Sequence, residues 1–273
     1  MKTQLYYKQV QEGFSTPSVR EASSGVLFPV RLRTREFPPE GAHIALLARC
    51  DDGGLYFCKG DQSGLPCRMR EAFGTLFAAE VGLAPPDFRI VEDEQTGETF
   101  FGSRASPSTA DEVARKRFLR TSRTDELGRH LDYPGRWLSQ LYVLDMFLHN
   151  WDRSASNLIA VRDGPLLRIR PIDFSGIELG TCAISDFPDG RTETLAVARQ
   201  LRQVHGFFED SALQMLDSIA AIPPSVIASF FRELPTEWIS AHEMGRIVEL
   251  WAGEGLEMRI NLLREGLMNG RLL

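Results

Sequence analysis

Apolar runs alternate with short polar loops between Leu138 and Gly176, and this pattern constrains the fold more than any other feature of the chain. The first run has nearly helical spacing, and its members are Leu138, Leu141, Tyr142, Met146 and Phe147. The second run has the length of a short strand, and its members are Leu166, Leu167, Ile169 and Ile172. The sequence therefore predicts a helix that leads into one polar loop and a strand that leads into the next.

Each run is followed by polar residues that suit phosphoryl transfer. Asp152 and Asn157 stand five positions apart after the helix, and Asp173 follows sixteen residues later in an Asp-Phe-x-Gly context. Protein kinases use this spacing, because one carboxylate accepts the proton of the attacking hydroxyl while an Asn and a second carboxylate hold Mg²⁺ on the nucleotide phosphates. We therefore expect Asp152 to be the catalytic base, and Asn157 and Asp173 to be metal ligands. Asp-x-x-x-x-Asn alone is common by chance and would sooner indicate a solvated loop or a helix N-cap, and Asp-Phe-x-Gly alone is just as weak, so the interpretation depends on their order and context.

A predicted β-hairpin upstream supplies a lysine. Two apolar runs flank the turn residues 51–54, Asp-Asp-Gly-Gly, and Lys59 ends the second strand. Glu71 follows near the start of a helix and lies off its apolar stripe, so it can face a cleft and pair with Lys59 or face water. We expect the pair to orient Lys59 toward the nucleotide phosphates. Glu80 is the rival partner for the lysine.

The order of these residues resembles that of the HipA-like kinases, which are relatives of the phosphatidylinositol kinases. The order in question is Lys59, Glu71, Asp152, Asn157 and Asp173. Three segments carry the local resemblance, namely Leu148-His-Asn150-Trp-Asp152-Arg153, the helix from Glu71 to Gly82-Leu83-Ala84-Pro85-Pro86, and Phe101-Gly102-Ser103-Arg104. They are similar to the catalytic loop of that family, to its Glu-bearing helix and to a strand of its compact members. The resemblance runs from about Gly41 to Gly176.

The resemblance implies an α+β, two-lobed protein-kinase-like fold that uses ATP and Mg²⁺. It implies a catalytic role for Lys59 and Asn157 beside Asp152, and places Glu71, Phe101 and Ser103 near the nucleotide. No Gly-x-Gly-x-x-Gly motif precedes the hairpin, so Gly41 is the only candidate for a phosphate-covering turn. The chain is shorter than the long HipA toxins, and the DNA-binding role of those members is not expected here.

Turn signals and periodicity divide the chain at about residue 104. Residues 1–104 are expected to form a small β-rich nucleotide-binding lobe around one helix, and the turn at Thr96-Gly97 indicates a second hairpin. Residues 105–273 are expected to form a mainly helical catalytic lobe, which begins with a polar connection and a short helix. Further helices are predicted near 136–150, 192–205, 209–221, 223–232 and 243–268.

Composition favours a cytoplasmic enzyme. The 273 residues are 43% apolar, which is enough for one two-lobed domain or two small domains. The net charge of -6 argues against a general nucleic-acid or membrane-surface binder. A basic run at 115–120 indicates a solvated helix face or, alternatively, a docking patch for an acidic substrate. The four cysteines lack zinc or redox spacing, and neither a membrane span nor an apolar signal core is visible.

Four residues around the catalytic loop have two interpretations each. His149 is expected to pack or hydrogen-bond rather than to act as a base, and Asp145 is expected to be structural. Arg153 is expected to brace the loop by pairing with a carboxylate, the alternative being a contact with a substrate phosphate. Trp151 is expected in the core, the alternative being a place at the acceptor site.

Three functions remain open at this stage. The first is an ATP-dependent kinase acting on protein Ser or Thr, its own chain included, and the second is a kinase acting on a small molecule or lipid. The third is a nucleotide-binding pseudokinase that serves as an interaction module. The intact set of Lys59, Asp152, Asn157 and Asp173 argues against the third, because degenerate kinases typically lack at least one of these residues. Acceptor choice depends on the surfaces around the site, which these motifs do not specify.

Overall fold

The chain folds as a mixed α and β protein, as the sequence predicts. The computed structural model describes residues 28–36, 44–61, 64–122, 124, 127–164, 166–180 and 192–272. Gly41, the candidate for the phosphate-covering turn, and Cys182 lie outside the described residues. Strands dominate up to Arg104, and helices dominate from Glu112 onward.

Five strands form a closed barrel. They are β1 (Val30–Glu36), β2 (Leu46–Cys50), β3 (Leu55–Lys59), β4 (Phe88–Asp93) and β5 (Glu98–Arg104). Their order is β1-β2-β3-β5-β4, and a parallel pairing of β1 with β4 closes the ring. The two predicted hairpins are confirmed as β2–β3 and β4–β5. The closure was not predicted, because a parallel pairing between distant strands leaves no local turn signal.

Alternation along the strands sorts their side chains between the two faces of the barrel. The buried residues of the inner cluster are Val30, Leu46, Ala48, Cys50, Tyr56, Cys58, Val91 and Phe100. Their neighbours Phe88, Ile90 and Phe101 belong instead to the larger core that lies outside the barrel. Lys59 follows Cys58, so its side chain leaves the strand on this outer face.

Helix α1 (Cys67–Glu80) covers that outer face. Most of its length is buried, and its aromatic residues reach across to the helical part of the chain. Phe77 stacks on Phe147 with ring centroids 5.8 Å apart, and Phe73 stacks on Phe231 at 5.5 Å. One continuous core therefore joins the barrel side of α1 to the helices.

The remaining elements are mainly helical. They are α2 (Glu112–Arg120), α3 (Tyr133–Leu148), the hairpin of β6 (Leu158–Asp163) and β7 (Leu166–Pro171), α4 (Glu193–His205), α5 (Glu209–Ala220), α6 (Pro224–Arg232), α7 (Ala241–Ala252) and α8 (Gly255–Met268). Most begin and end within a few residues of the predicted bounds. The single helix predicted over 243–268 is wrong, because Gly253 adopts an extended backbone (φ -114°, ψ -165°) and separates α7 from α8. Glycine has little helix propensity, and the segment 252–255 contains two glycines.

Helix α3 is the central helix and positions the loop that follows it. His149 ends it in the left-handed conformation (φ 54°), which turns the chain sharply into the loop. The buried Arg259 of α8 donates hydrogen bonds of 2.9 Å to the carbonyl oxygens of Met146 and Phe147. These bonds give the carbonyls of the last helical turn a buried donor and fix the point where the loop begins.

No single helix among the described residues has the length and apolar character needed to cross a membrane. Only α5 and α6 taken together, which meet at a bend of 75°, reach that length and composition among the described residues.

Candidate active site

The loop after α3 is braced by a buried arginine. Arg153 Nε and Nη2 each donate a 2.9 Å hydrogen bond to a different carboxylate oxygen of Asp145. Arg153 Nη1 donates to the carbonyl oxygens of Asn157, at 3.2 Å, and Ile172. Both charged side chains are almost fully buried. Arg153 therefore braces the loop, and Asp145 is structural, as expected for both residues.

Thr194, at the start of α4, fastens the same loop from the other side. Its hydroxyl donates to the Asn150 carbonyl oxygen at 2.6 Å and accepts from the Arg153 amide at 2.9 Å. Both bonds are buried, and they fix the backbone on either side of Trp151. Sequence reasoning missed Thr194, because nothing in its local pattern indicates a contact more than forty residues away.

Asp152 lies half-buried in this rigid loop. Its Oδ1 atom is buried and has no hydrogen-bond donor among the described residues, and the same is true of Asn150 Oδ1. A Cβ atom on Gly176 would overlap Asp152 Oδ1, so only glycine fits at that position. Burial, followed by the charge of Asp173, raises the pKa of the Asp152 carboxyl to about 6. A carboxylate in this environment binds a proton more readily than a solvated one does.

Asn157 is held at the end of a short 3-10 turn, Ala155–Asn157. Its Nδ2 atom donates to the Asp152 carbonyl oxygen at 3.1 Å, which directs Oδ1 to the other side. There Oδ1 accepts from the hydroxyls of Ser154, at 3.0 Å, and Ser156, at 3.3 Å. These two hydroxyls orient the amide, and the sequence motif did not identify them.

A hydrogen-bonded cluster joins the end of β3, the start of α1 and the segment after β7. Lys59 Nζ lies 2.5 Å from Glu71 Oε1 and 2.8 Å from Asp173 Oδ1. Ser175 Oγ donates to the same Asp173 oxygen at 2.7 Å. Asp173 adopts a left-handed backbone (φ 61°), which is uncommon for a residue other than glycine and turns its side chain toward the cluster. Lys59 contacts Glu71 and not the rival Glu80.

Glu71 also holds the backbone of the segment after β7. Its carboxylate accepts hydrogen bonds from the amides of Phe174, at 3.0 Å, and Ser175, at 3.1 Å. One helical turn later, α1 approaches this segment so closely that a Cβ atom on Gly74 would overlap the Phe174 side chain. The helix is therefore fitted to the segment that carries Asp173.

The charges in the cluster shift one another. Burial would raise the pKa of Asp173, but the adjacent Lys59 ammonium outweighs it and holds that pKa well below its usual range. Burial would lower the pKa of Lys59, but the two carboxylates outweigh it and raise that pKa. Burial raises the pKa of Glu71, although the donors around its carboxylate oppose this. At neutral pH, Lys59 and Asp173 are therefore both charged.

The other residues singled out in the sequence occupy different environments. Phe101 pairs with Lys59 across β3 and β5, and its ring is buried against Phe88 with centroids 4.9 Å apart. Ser103 is half-buried two residues further along β5. His149 Nδ1 lies 3.6 Å from Glu178 Oε2, away from the position of a base.

Trp151 is not in the core, which corrects the preferred expectation for this residue. Its side chain is 44% exposed, because the buried Asn150 and Arg153 direct the loop inward on either side of it. The basic run on α2 is largely a helix face, with Lys116 paired to Glu112 at 2.7 Å. Arg115 instead reaches the carbonyl oxygens of Ser156, in the loop after α3, and Leu158, at the start of β6.

The donor set fits a magnesium ion. The Ile172 amide donates to the Asn157 carbonyl oxygen at 2.9 Å, so the segments that carry Asn157 and Asp173 run side by side. The described residues contain no group of three or more His, Cys, Asp or Glu side chains that could hold a metal by themselves, so a metal here would need ligands from a substrate as well. A cation here would take one carboxylate, one amide oxygen and ligands from a phosphate substrate, which is the pattern that Mg²⁺ prefers.

Comparisons with known proteins agree with the resemblance predicted from the sequence. Residues 34–160 match the family model of the HipA-like kinases, and this segment includes Lys59, Glu71, Asp152 and Asn157. The solved structure of a proinflammatory kinase, CtkA, from Helicobacter pylori is similar in fold, with a TM-score of 0.55 and 13% sequence identity. The alignment covers 89% of this chain and 98% of that chain. A search of curated proteins found no match.

Proposed function

We propose that this chain, which matches the HipA-like kinases over residues 34–160, transfers the γ-phosphoryl group of ATP to the hydroxyl of a protein Ser or Thr. The observation that carries the proposal is the contact of Lys59 with both Glu71 and Asp173, beside a braced loop that presents Asp152 and Asn157. Four separate parts of the chain contribute to this site. Phosphoryl transfer depends mainly on such positioned charges and oxygen ligands.

In this proposal, Asn157 and Asp173 hold Mg²⁺ on the nucleotide, and Lys59 contacts the phosphates. Mg²⁺ neutralises charge on the phosphate oxygens when it is bound. Lys59 and Ser175 donate to Asp173 Oδ1 and so hold this carboxylate in place. Glu71 acts by orienting Lys59, and the turn at Gly41 and the strand residues Phe101 and Ser103 are proposed to line the nucleotide.

Asp152 is proposed to be the base. Its carboxylate accepts the proton of the acceptor hydroxyl as the new oxygen–phosphorus bond forms. The bond from the γ-phosphorus to the bridging oxygen then breaks, and its electron pair leaves with ADP. Because Asn157 Nδ2 donates to the Asp152 backbone and not to its side chain, the carboxylate is left for the acceptor.

The two-lobed division follows from the same assignment. Residues 1–104 would form the nucleotide-binding lobe and residues 105–273 the catalytic lobe, so that the Lys59–Asp173 contact spans the cleft. The exposed indole of Trp151 next to Asp152 supports an acceptor that lies on the surface, as a protein segment does. A cytoplasmic location is an expectation from composition alone.

Incubation of the purified protein with Mg²⁺ and γ-labelled ATP tests the function. Label on the protein itself or on proteins of a cell extract supports the proposal. Transfer only to a metabolite or lipid pool indicates the small-molecule kinase instead. Nucleotide binding without any transfer indicates a pseudokinase that serves as an interaction module.

A further inference from the structure

A buried ion pair links α1 to α7. Arg70 Nε lies 3.3 Å from Glu243 Oε1, although 173 residues separate the two along the chain. Each side chain is 7% exposed. Burial removes both charges from water, and the desolvation cost of such a pair can exceed the attraction within it. The pair is therefore weak evidence for stability, and its definite effect is to fix α1 against α7.

Arg70 is the residue directly before Glu71, and both side chains form hydrogen bonds with the backbone of the same short segment. Glu71 accepts from the amides of Phe174 and Ser175, while Arg70 Nη1 donates to the Ser175 carbonyl oxygen at 3.5 Å. The segment that carries Asp173 is thus held on its donor side and on its acceptor side by consecutive residues of α1.

Glu243 is itself fixed at the start of α7. It is the third residue of that helix, and its amide donates to the Ser240 side chain at 3.3 Å. An acidic residue in the first turn is favoured by the helix dipole. The backbone at Gly180 packs against it so closely that a Cβ atom there would lie 2.8 Å from Glu243 Cγ. Arg70 therefore meets a rigid anchor in the helical part of the chain.

We propose that Arg70 and Glu243 are positioning residues that hold α1 in register with the Asp173 segment, so that Glu71 keeps Lys59 and this segment in the arrangement needed for phosphoryl transfer. The inference rests on the proposed function for its effect on turnover, but its geometric part does not. Neither residue contacts the reacting atoms.

The test separates positioning from simple stabilisation. The double variant Arg70→Met with Glu243→Leu replaces the pair by apolar side chains of similar size, a change that is often neutral or stabilising. We expect a melting temperature close to that of the wild type, a KM for ATP raised at least fivefold and kcat lowered about tenfold. The matched control is Arg264→Met with Asp217→Leu, which removes the exposed 2.7 Å pair between α8 and α5 and should change neither constant.

A second readout does not depend on activity. Hydrogen exchange at the amides of Phe174 and Ser175 should become at least tenfold faster in the double variant and stay unchanged in the control. If the wild type transfers no phosphate, faster exchange in the double variant still supports the inference, while the proposed function fails. Wild-type exchange rates at both amides of the double variant would overturn the positioning role of the pair. Wild-type kinetic constants in a double variant that is active would overturn it as well.

A single variant covers the case in which the double variant does not fold. Glu243→Gln keeps the shape and one acceptor oxygen but removes the charge. We expect Glu243→Gln to show faster hydrogen exchange at the Phe174 and Ser175 amides and a raised KM for ATP, both by smaller factors than in the double variant. Unchanged exchange and unchanged KM in Glu243→Gln, with Glu243→Leu also at wild-type values, would contradict the role of the pair.

Discussion

Lys59 Nζ lies 2.8 Å from Asp173 Oδ1, although 114 residues separate the two along the chain. Glu71 approaches the same ammonium group from the other side, so two carboxylates share one positive charge. The cluster carries a net negative charge whenever both carboxylates are ionised. A divalent cation that binds Asp173 would reverse this excess and leave a positive charge that a phosphate ligand could balance.

Asp173→Asn should abolish phosphoryl transfer and weaken Mg²⁺-dependent ATP binding while the fold stays intact. Asparagine removes the charge but tolerates the left-handed backbone at this position, whereas alanine would add strain of about 1 kcal/mol or more. Calorimetry with and without Mg²⁺ measures the binding. Asp163→Asn, at an exposed carboxylate on β6, is the control and should behave as wild type. Unchanged phosphoryl transfer in Asp173→Asn would show that Asp173 is not a required metal ligand.

Lys59→Met should lower turnover by about 10²-fold, because the site loses its only cation in contact with Asp173 among the described residues. Glu71→Ala should have a second effect, since it leaves the buried amides of Phe174 and Ser175 without an acceptor, at about 1–3 kcal/mol each. We therefore expect Lys59→Met to affect turnover more than stability, and Glu71→Ala to affect both. Urea denaturation and labelled-phosphate assays on the same preparations compare the two. Equal destabilisation by both variants would contradict this difference.

Asp152→Asn should lower transfer by about 10²-fold or more, which is the range of general-base effects, with near-normal ATP affinity. The same change should stabilise the protein at pH 7 by about 1–2 kcal/mol, because the folded state raises the pKa of this carboxyl and so penalises its charged form. The penalty is fully present above pH 6 and disappears below the unfolded pKa near 4. The stability advantage of the variant should therefore shrink between pH 6 and pH 4. A variant that transfers phosphate at the wild-type rate would show that Asp152 is not the base.

The pH dependence of kcat/KM for ATP should report the ionisation of the Asp152 carboxyl. The base must be ionised, and its pKa is raised to about 6, so kcat/KM should rise with pH through about 6 and fall tenfold per unit below it. This parameter reports the free enzyme, to which the structure corresponds. A rate that is flat from pH 5 to pH 8 would mean that Asp152 is ionised throughout or is not required.

Trp151→Ala should raise the KM for a protein acceptor at least fivefold and leave the Kd for ATP unchanged. The indole is exposed beside Asp152 on a backbone that Thr194 fixes, so it can pack against the residues next to the acceptor hydroxyl. Trp151→Phe should retain most of the affinity. Met258→Ala, which truncates an even more exposed apolar side chain on α8, is the control. Loss of ATP binding in Trp151→Ala would place the indole in the nucleotide site instead.

The sequence alone predicts the helices and hairpins well where the signals are local. The Asp-Asp-Gly-Gly turn and the apolar run before Asp152 are such signals, and both elements lie where they are expected. The break at Gly253 was missed because the apolar periodicity continues across it. The barrel closure and the core that joins α1 to α3 arise from contacts between distant segments, which leave no periodic pattern.

In the candidate site, too, local motifs were predictable and contacts between distant segments were not. The spacing of Asp152, Asn157 and Asp173 identifies these residues, because motif geometry is encoded locally. The residues that hold them in place were not found, among them Thr194, Ser154 and Glu243. Thr194 and Glu243 act through hydrogen bonds or an ion pair with residues far away in the chain, which only the tertiary fold brings close. Ser154 bonds to Asn157 three residues away, but serine is too common in loops for its position alone to be informative.

The barrel is closed by only two residue pairs, Val30 with Val91 and Arg31 with Glu92, whereas β4 and β5 are joined by six. Parallel pairing is also slightly weaker per residue than antiparallel pairing. Thermal fluctuations or mild denaturant should therefore part the barrel first along this seam. The strand that ends in Lys59 lies on the far side, between β2 and β5, so local unfolding at the seam leaves the lysine in place.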